Sequence, residues 1–466
     1  MSPSWLAVRT GSRDLRPFSL KPSAARQHGR RSAALIAAAT LAWVAAARAA
    51  EVPEVALPSY LSLQEAVDLF REHGIDLLLA DAAVQSAGGD LKVAAAIPNP
   101  ALAVSYGRAF NYDPNVPGCS GCSRNAYTAG LSDQSAIEET LTGKRTLRVR
   151  SAEAALAAAR LGRTDAERVV GFQVKSQYVQ LVAALFSLEF ARSVQAYYEE
   201  TLDLNRRRYP KVINEGELAR VEVEKLQADQ RVTQAEQDYR AQQAALAFLL
   251  GVRGVAPAFN VDRGALGFRV PAALRDTTPA QLLEQALHAR PDLQQAQRTE
   301  DAAQASLELA RRLRIPSVAL SGQYYQMGSG QDAIQPPTAT FGISLPLPAF
   351  YQQQGEIQRA AAALETQTLQ KARLQAQIAA DVDTAHAAFV SARTRVERME
   401  SGLLERAKKA RDITAIQFRA GAIPLMDYLD AERAFVQTNN DYFDALADYW
   451  TAVFQIEAAT GVAVGG

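Results

Sequence analysis

The stretch Ile97-Pro98-Asn99-Pro100-Ala101-Leu102-Ala103-Val104-Ser105-Tyr106-Gly107 decides the fold, because it has a partner and then a duplicate. It alternates apolar with small side chains, and beyond a polar loop Tyr127-Thr128-Ala129-Gly130-Leu131-Ser132 alternates in the same way. A proline-free helical pattern then lasts until Pro210. The order recurs with Ile315-Pro316-Ser317, then Thr340-Phe341-Gly342-Ile343-Ser344, then a proline-free run over 349–423. A duplicated unit whose two strands cannot make a sheet alone, fused to helices too long for one globular core, predicts a symmetric assembly.

The strands carry two unlike faces. Leu102, Val104 and Tyr106 oppose Ala103, Ser105 and Gly107, and Tyr127, Ala129 and Leu131 oppose Thr128, Gly130 and Ser132. The second copy offers Val318, Leu320 and Tyr324, then Phe341, Ile343 and Leu345. Each segment is near the roughly 9–11 residues that a tilted strand needs to cross a bilayer. An apolar face backed by a small or polar one suits a lipid-facing, water-filled barrel, although hairpins on a soluble core alternate similarly. The loops at 108–125 and 326–338 are polar, and in such a barrel the longer loops face outward. Two hairpins give four strands, whose unpaired edges would cost several kcal/mol per backbone group in lipid. Several chains must therefore close the sheet, and three would give twelve strands.

Helices dominate the rest. Short ones are expected at 61–73 and 76–96, broken near Gly74 and Gly88-Gly89, with counterparts at 279–289 and 292–314. The pattern over 143–208 spans roughly 100 Å at 1.5 Å per residue, turns at Tyr209-Pro210 to Gly216, and returns over 217–250. In the second copy 355–419 runs out, Gly421 turns, and 424–460 returns. Such lengths predict coiled-coil-like packing. The organisation read from this is a first repeat at 50–251 (hairpin 100–136, helix pair 138–250), a linker at 252–278, and a second repeat at 279–466 (hairpin 316–347, helix pair 355–460).

Composition limits the function. Lys+Arg and Asp+Glu each number 50, but residues 1–49 hold eight basic residues and one acid. Without them the balance is 42 against 49, and a net charge near −7 disfavours nucleic-acid binding. Arg30-Arg31, an apolar run over 33–47 and Ala47-Arg48-Ala49 read as a signal peptide at 1–49. No cysteine follows the cleavage site, so no lipid anchor is expected, and no later run of about 18 apolar residues predicts a transmembrane helix. Cys119 and Cys122 sit close together in the first long loop, which in an exported chain suggests a local disulfide. A metal site would want four ligands, and that loop has no histidine. No resident metal, cofactor or enzymatic motif is expected.

Several stretches resemble the TolC-type outer-membrane efflux proteins, and in particular the CzcC-like heavy-metal branch. They are Ile97-Pro98-Asn99-Pro100, Leu141-Thr142-Gly143-Lys144-Arg145, Pro346-Leu347-Pro348 with Gln354-Gly355-Glu356-Ile357, and Gly421-Ala422-Ile423-Pro424-Leu425-Met426-Asp427-Tyr428-Leu429-Asp430. The chain departs from that family at Tyr351-Gln352-Gln353, where Asp/Asn-Arg-Asn is usual, and at Asp133-Gln134-Ser135, where Gln-Pro is usual. The resemblance implies a mainly α protomer with a small β part. Three protomers would form a 12-stranded β-barrel in outer-membrane lipid on an α-helical tunnel in the periplasm. It also implies a passive duct serving a periplasmic adaptor and a proton-driven inner-membrane RND pump. The cargo would be divalent heavy metals (cobalt, zinc, cadmium, nickel) or copper and silver. Multidrug efflux or type I secretion is the alternative, and a periplasmic coiled-coil adaptor is a more distant one, since the duplication argues against it.

Like-charged rings at a narrow point select and gate. Asp427 and Asp430, three apart after Gly421, share a helix face. The resemblance places them at the periplasmic constriction, with Glu222 as the first-copy analogue of Asp427, since each stands six residues after a glycine. It also makes the turns around Gly216, Glu217, Gly421 and Ala422 the adaptor-docking points. Where some members carry an arginine two residues past the turn glycine this chain has Ile423, so a polar lock at the tip must differ.

Overall fold

Alternating strands that expose backbone on both sides can only pair with one another, and they do so across the duplication. The computed structural model describes residues 55–110, 113, 123–211, 213–328 and 337–464. The signal segment 1–49, Cys119, Cys122 and most of both long loops lie outside the described residues. Strands β2 (Ala101–Arg108), β3 (Asn125–Ser132), β5 (Ala319–Met327) and β6 (Thr338–Ser344) form one antiparallel sheet in the order β2-β3-β5-β6. The hairpins join through β3 and β5, and the Leu320 amide donates to the Asp133 carboxylate at 2.8 Å where they meet.

The register sorts most side chains by character, with Tyr325 and Gln326 as exceptions. One face carries the rows Leu102–Leu131–Gly322–Phe341 and Val104–Ala129–Tyr324–Ala339. The other carries Ala103–Gly130–Gln323–Thr340 and Ser105–Thr128–Tyr325–Thr338. Among the described residues nothing covers the apolar face: Val104 is 73% and Phe341 87% exposed. Among the described residues β2 and β6 each keep one edge without a partner.

Helix α1 (Leu63–His73) starts at a Ser62/Glu65 capping box, and its counterpart α6 (Pro279–Ala289) at a Thr278/Gln281 one. Helix α2 (Ile75–Ala95) runs unbroken through Gly88 and Gly89, contrary to the expected break. Two glycines cost a helix about 1 kcal/mol each, and tertiary contacts override that here. Helix α2 lies along α4 (Lys144–Arg208), where Arg163 pairs with Asp81 at 3.0 Å and Arg145 caps the Ala95 carbonyl. A short α3 (Ala136–Leu141) precedes α4, and Gly143 between them has φ +71°. Lys144 is buried there. Its ammonium lies 2.8 Å from the Glu138 carboxylate and donates to the Ile315 carbonyl at 2.7 Å, tying the first long helix to the strand approach of the second copy.

Helices α5 (Glu215–Leu249), α7 (Pro291–Arg312), α8 (Gln354–Arg398), α9 (Leu404–Arg419) and α10 (Leu425–Thr460) complete the set. Helix α4 packs on α2 and α7 along one part of its length and on α5 and α10 along the other. Helix α8 does not continue to 419 as expected: a π-turn at Met399–Leu403 separates it from α9. At the two departures from the family pattern, Gln134, Ser135 and Gln353 hold positive φ, a region that disfavours residues other than glycine and asparagine. Tyr351 compensates locally, its hydroxyl accepting from the Gly355 amide at 3.1 Å and donating to Glu356.

The segment 252–278 is part of the core rather than a free linker. Its β4 (Asn260–Val261) pairs in parallel with β1 (Tyr60–Leu61), and Phe259, Leu266 and Leu274 are buried. Tyr178 from α4 clamps both strands, donating to the Leu61 carbonyl at 2.8 Å and accepting from the Asp262 amide at 2.9 Å. A single apolar core thus draws on both repeats. The duplication is visible in how the returning helices end. Gly251 after α5 and Gly461 after α10 both adopt positive φ, and each abuts the end of a short helix, at His73 and at Ala289 respectively.

A Cβ on Gly251 would lie 2.4 Å from the His73 carbonyl oxygen, whereas one on Gly421 (φ +73°) would meet nothing within 4 Å. Gly251→Ala is therefore expected to destabilise by about 2 kcal/mol or more, and Gly421→Ala by only about 1 kcal/mol. Urea midpoints of the two purified variants check this; equal losses would contradict it.

Candidate functional site

Helix α4, 65 residues long, places the α4–α5 turn roughly 100 Å from the sheet. At that tip the α4–α5 turn meets the α9–α10 turn, and Arg208 donates to the Arg419 carbonyl at 2.8 Å. A second apolar cluster fills the space between the four helices, including Tyr198, Leu202, Val221, Phe418, Tyr428 and Leu429. Phe418 and Tyr428 stack at 5.0 Å between ring centres.

The second turn matches its expectation. Gly421 closes α9 in the left-handed conformation, its amide donating to the Phe418 carbonyl and that of Ala422 to Gln417, which satisfies the helix's last carbonyls. The first turn differs. Gly216 is the second residue of α5, not a turn glycine, because Asn214 caps the helix: its side chain accepts from the Glu217 amide at 2.8 Å while Glu217 accepts from the Asn214 amide at 3.0 Å. Glu217 is thereby a capping residue. The reversal lies earlier, with a cis bond between Tyr209 and Pro210.

Asp427 and Asp430 stand exposed one turn apart on α10, as their spacing predicts. Among the described residues no ion pair reaches Asp427, while Asp430 lies 3.2 Å from Arg433. Glu222 pairs with Arg206 at 3.3 Å. Burial aligns the copies differently from the glycine count. Val221-Glu222-Val223-Glu224-Lys225 matches Leu429-Asp430-Ala431-Glu432-Arg433, with the first and fourth residue of each buried. Glu222 is accordingly the counterpart of Asp430, and Asp427 has no acidic counterpart.

That alignment exposes two residues the sequence reading passed over. Glu224 and Glu432 are buried in the tip core at 2% and 1% exposure. Glu224 reaches across to Arg433, so the first repeat's return helix is bonded to the second's. The same guanidinium holds Asp430, linking an exposed carboxylate to a buried one. Glu432 has no such answer: burial raises its carboxyl to about 7, Arg411 opposes this, and Asp412 adds to it. Burial likewise pushes the Tyr198 and Tyr428 hydroxyls up.

Among the described residues no group of three or more His, Cys, Asp or Glu could hold a metal, and no helix is long and apolar enough to cross a membrane. The arrangement offers a sheet with an apolar outer face at one end and a charged, helix-built tip at the other.

Residues 66–252 and 282–462 match the family described as outer membrane efflux protein, so each structural copy carries one match. The chain is 22% identical over 403 residues to the cobalt-zinc-cadmium resistance protein CzcC of Cupriavidus metallidurans, covering 86% of this chain and 90% of that one. Its fold superposes on CusC with a TM-score of 0.71 at 18% identity, covering 86% of this chain and 92% of CusC. A membrane protein from Pseudomonas aeruginosa gives 0.74 at 18% identity, covering 89% and 99%.

Removing Arg433 would strand the buried Glu224 carboxylate. Arg433→Met is expected to lower tip stability by about 2–3 kcal/mol, less than for a wholly buried pair because solvent screens the arginine. The double variant Glu224→Leu/Arg433→Met should recover much of that loss. Limited proteolysis within 405–440 reports it; a single variant as resistant as wild type would contradict the pairing.

Proposed function

Because the chain belongs to the outer membrane efflux protein family, we propose that it serves as the passive exit duct of a tripartite efflux system for heavy-metal cations. The observation that carries the duct is the four-stranded sheet with a bare apolar face and two unpaired edges. Three copies closing it would form a 12-stranded barrel in outer-membrane lipid, with the small and polar face lining water. The helices would continue that tube into the periplasm. A periplasmic adaptor would dock on the exposed turns around Gly421 and Ala422 and around 209–217, and an inner-membrane RND pump would supply the energy.

The metal cargo rests on the likeness to CzcC, whose name gives cobalt, zinc and cadmium. A wide duct need not recognise its cargo, which fits the lack of a ligand cluster among the described residues. Asp427 and Asp430 would stack as two rings of carboxylates at the constriction and favour cations. Glu222 would contribute to the Asp430 ring from the first copy.

Deletion of the gene is expected to sensitise cells to cobalt, zinc or cadmium; sensitivity confined to drugs, with metal tolerance unchanged, would refute the metal cargo. The double variant Asp427→Ala/Asp430→Ala should move the single-channel reversal potential in a salt gradient towards zero. An unchanged reversal potential would remove both residues from the constriction.

A further inference from the structure

The two repeats place equivalent glutamates in the tip core, and only one of them is neutralised. Glu224 on α5 has Arg433. Glu432 on α10, 1% exposed, has a carboxylate oxygen, Oε2, with no hydrogen-bond partner. The charged and titratable groups around it come from every adjoining element. Helix α9 presents Arg411 and Asp412, and α4 presents Tyr198, whose hydroxyl is buried without a partner. Helix α10 itself adds Tyr428 and Arg433, and Tyr198 also feels Glu224 and Arg231 from α5. The two nearby cations are engaged elsewhere. Arg411 pairs with Asp412 at 2.8 Å and lies 4.3 Å over the Phe435 ring, and Arg433 serves Glu224 and Asp430. A neutral carboxylic acid fits this position; a carboxylate would be a buried charge that Arg411 offsets only in part, which is destabilising.

We propose that Glu432 is a proton-operated switch in the tip: protonated, it lets the four helices close around it, and ionised, it drives them apart. The switch concerns how the tip packs. Its consequence for conduction rests on the duct reading given above.

The direction follows from linkage. In the packed tip burial pushes the carboxyl up to about 7, against an ordinary value of about 4.5 when freed. The packed tip therefore gains most from the proton below about 4.5 and loses that gain as pH rises to about 7. Between those limits the open fraction should rise up to tenfold per pH unit, on the order of 10²-fold in all, then level off.

Hydrogen exchange on the intact, detergent-solubilised protein tests this, with amide rates corrected for their intrinsic pH dependence. Tip segments 218–232 and 425–440 should lose protection across that window, while segment 174–183 in the main core should not. Glu432→Gln should hold the tip at its acid level of protection at every pH. Glu224→Gln should loosen the tip yet keep the wild-type pH slope. A flat wild-type profile would overturn the proposal, as would Glu432→Gln following the wild-type curve or Glu224→Gln abolishing the slope. Channel openings recorded alongside that do not follow the exchange would count against the duct's gate lying at the tip, and would leave the switch standing.

Discussion

An unpaired backbone amide or carbonyl in a lipid setting costs several kcal/mol, and this constraint governs the molecule. The sheet β2-β3-β5-β6 has an apolar face that no helix among the described residues covers, and an edge strand on either side. With four alternating strands, β2 and β6 run antiparallel to each other, so the last edge of one copy can pair with the first edge of the next. The helical part has the same openness. Helix α4 sits between partners on both sides, while α5 and α8 bound the row. On the function proposed above, a single chain is one sector of a wall that further copies close.

The duplication makes such a sector economical to specify, yet the copies are not interchangeable. Both repeats use a capping box to start a short helix and a positive-φ glycine to seat the returning helix against it. They part at the tip. The first copy turns through a cis-proline loop into an Asn214-capped helix, and the second through a glycine-closed turn. Arg433 bonds the two repeats through Glu224. Glu432 is left without an equivalent.

The sequence made the strands, their two faces and the long helices legible, because period-2 alternation and proline-free runs are local signals. The placement of Asp427 and Asp430, exposed one turn apart on α10, was legible for the same reason: a glycine turn gives the phase of the helix that follows. The break at Gly88-Gly89 was misread, since packing against α4 outweighs helix propensity. Gly216 was misread although Asn214 and Glu217 spell a capping box, a signal strong enough to have placed the helix start. The burial of Glu224 and Glu432 was not legible at all. On helices rich in Glu, Gln and Arg one acid looks like any other, and only the meeting of four helices from distant parts of the chain separates them. The π-turn at Met399–Leu403 falls at Gly402, whose extended backbone interrupts the helical run.

Closure of the sheet between copies can be tested directly by disulfide trapping across its two edges. In a Cys119→Ser/Cys122→Ser background, Ser105→Cys on β2 would be combined in turn with Thr338→Cys, Thr340→Cys or Gly342→Cys on β6, all on the polar face. Oxidation of outer-membrane fractions is expected to yield, in at least one of these registers, a covalent species of three chains. Single chains in every register, or linked products that stop at two, would contradict the account.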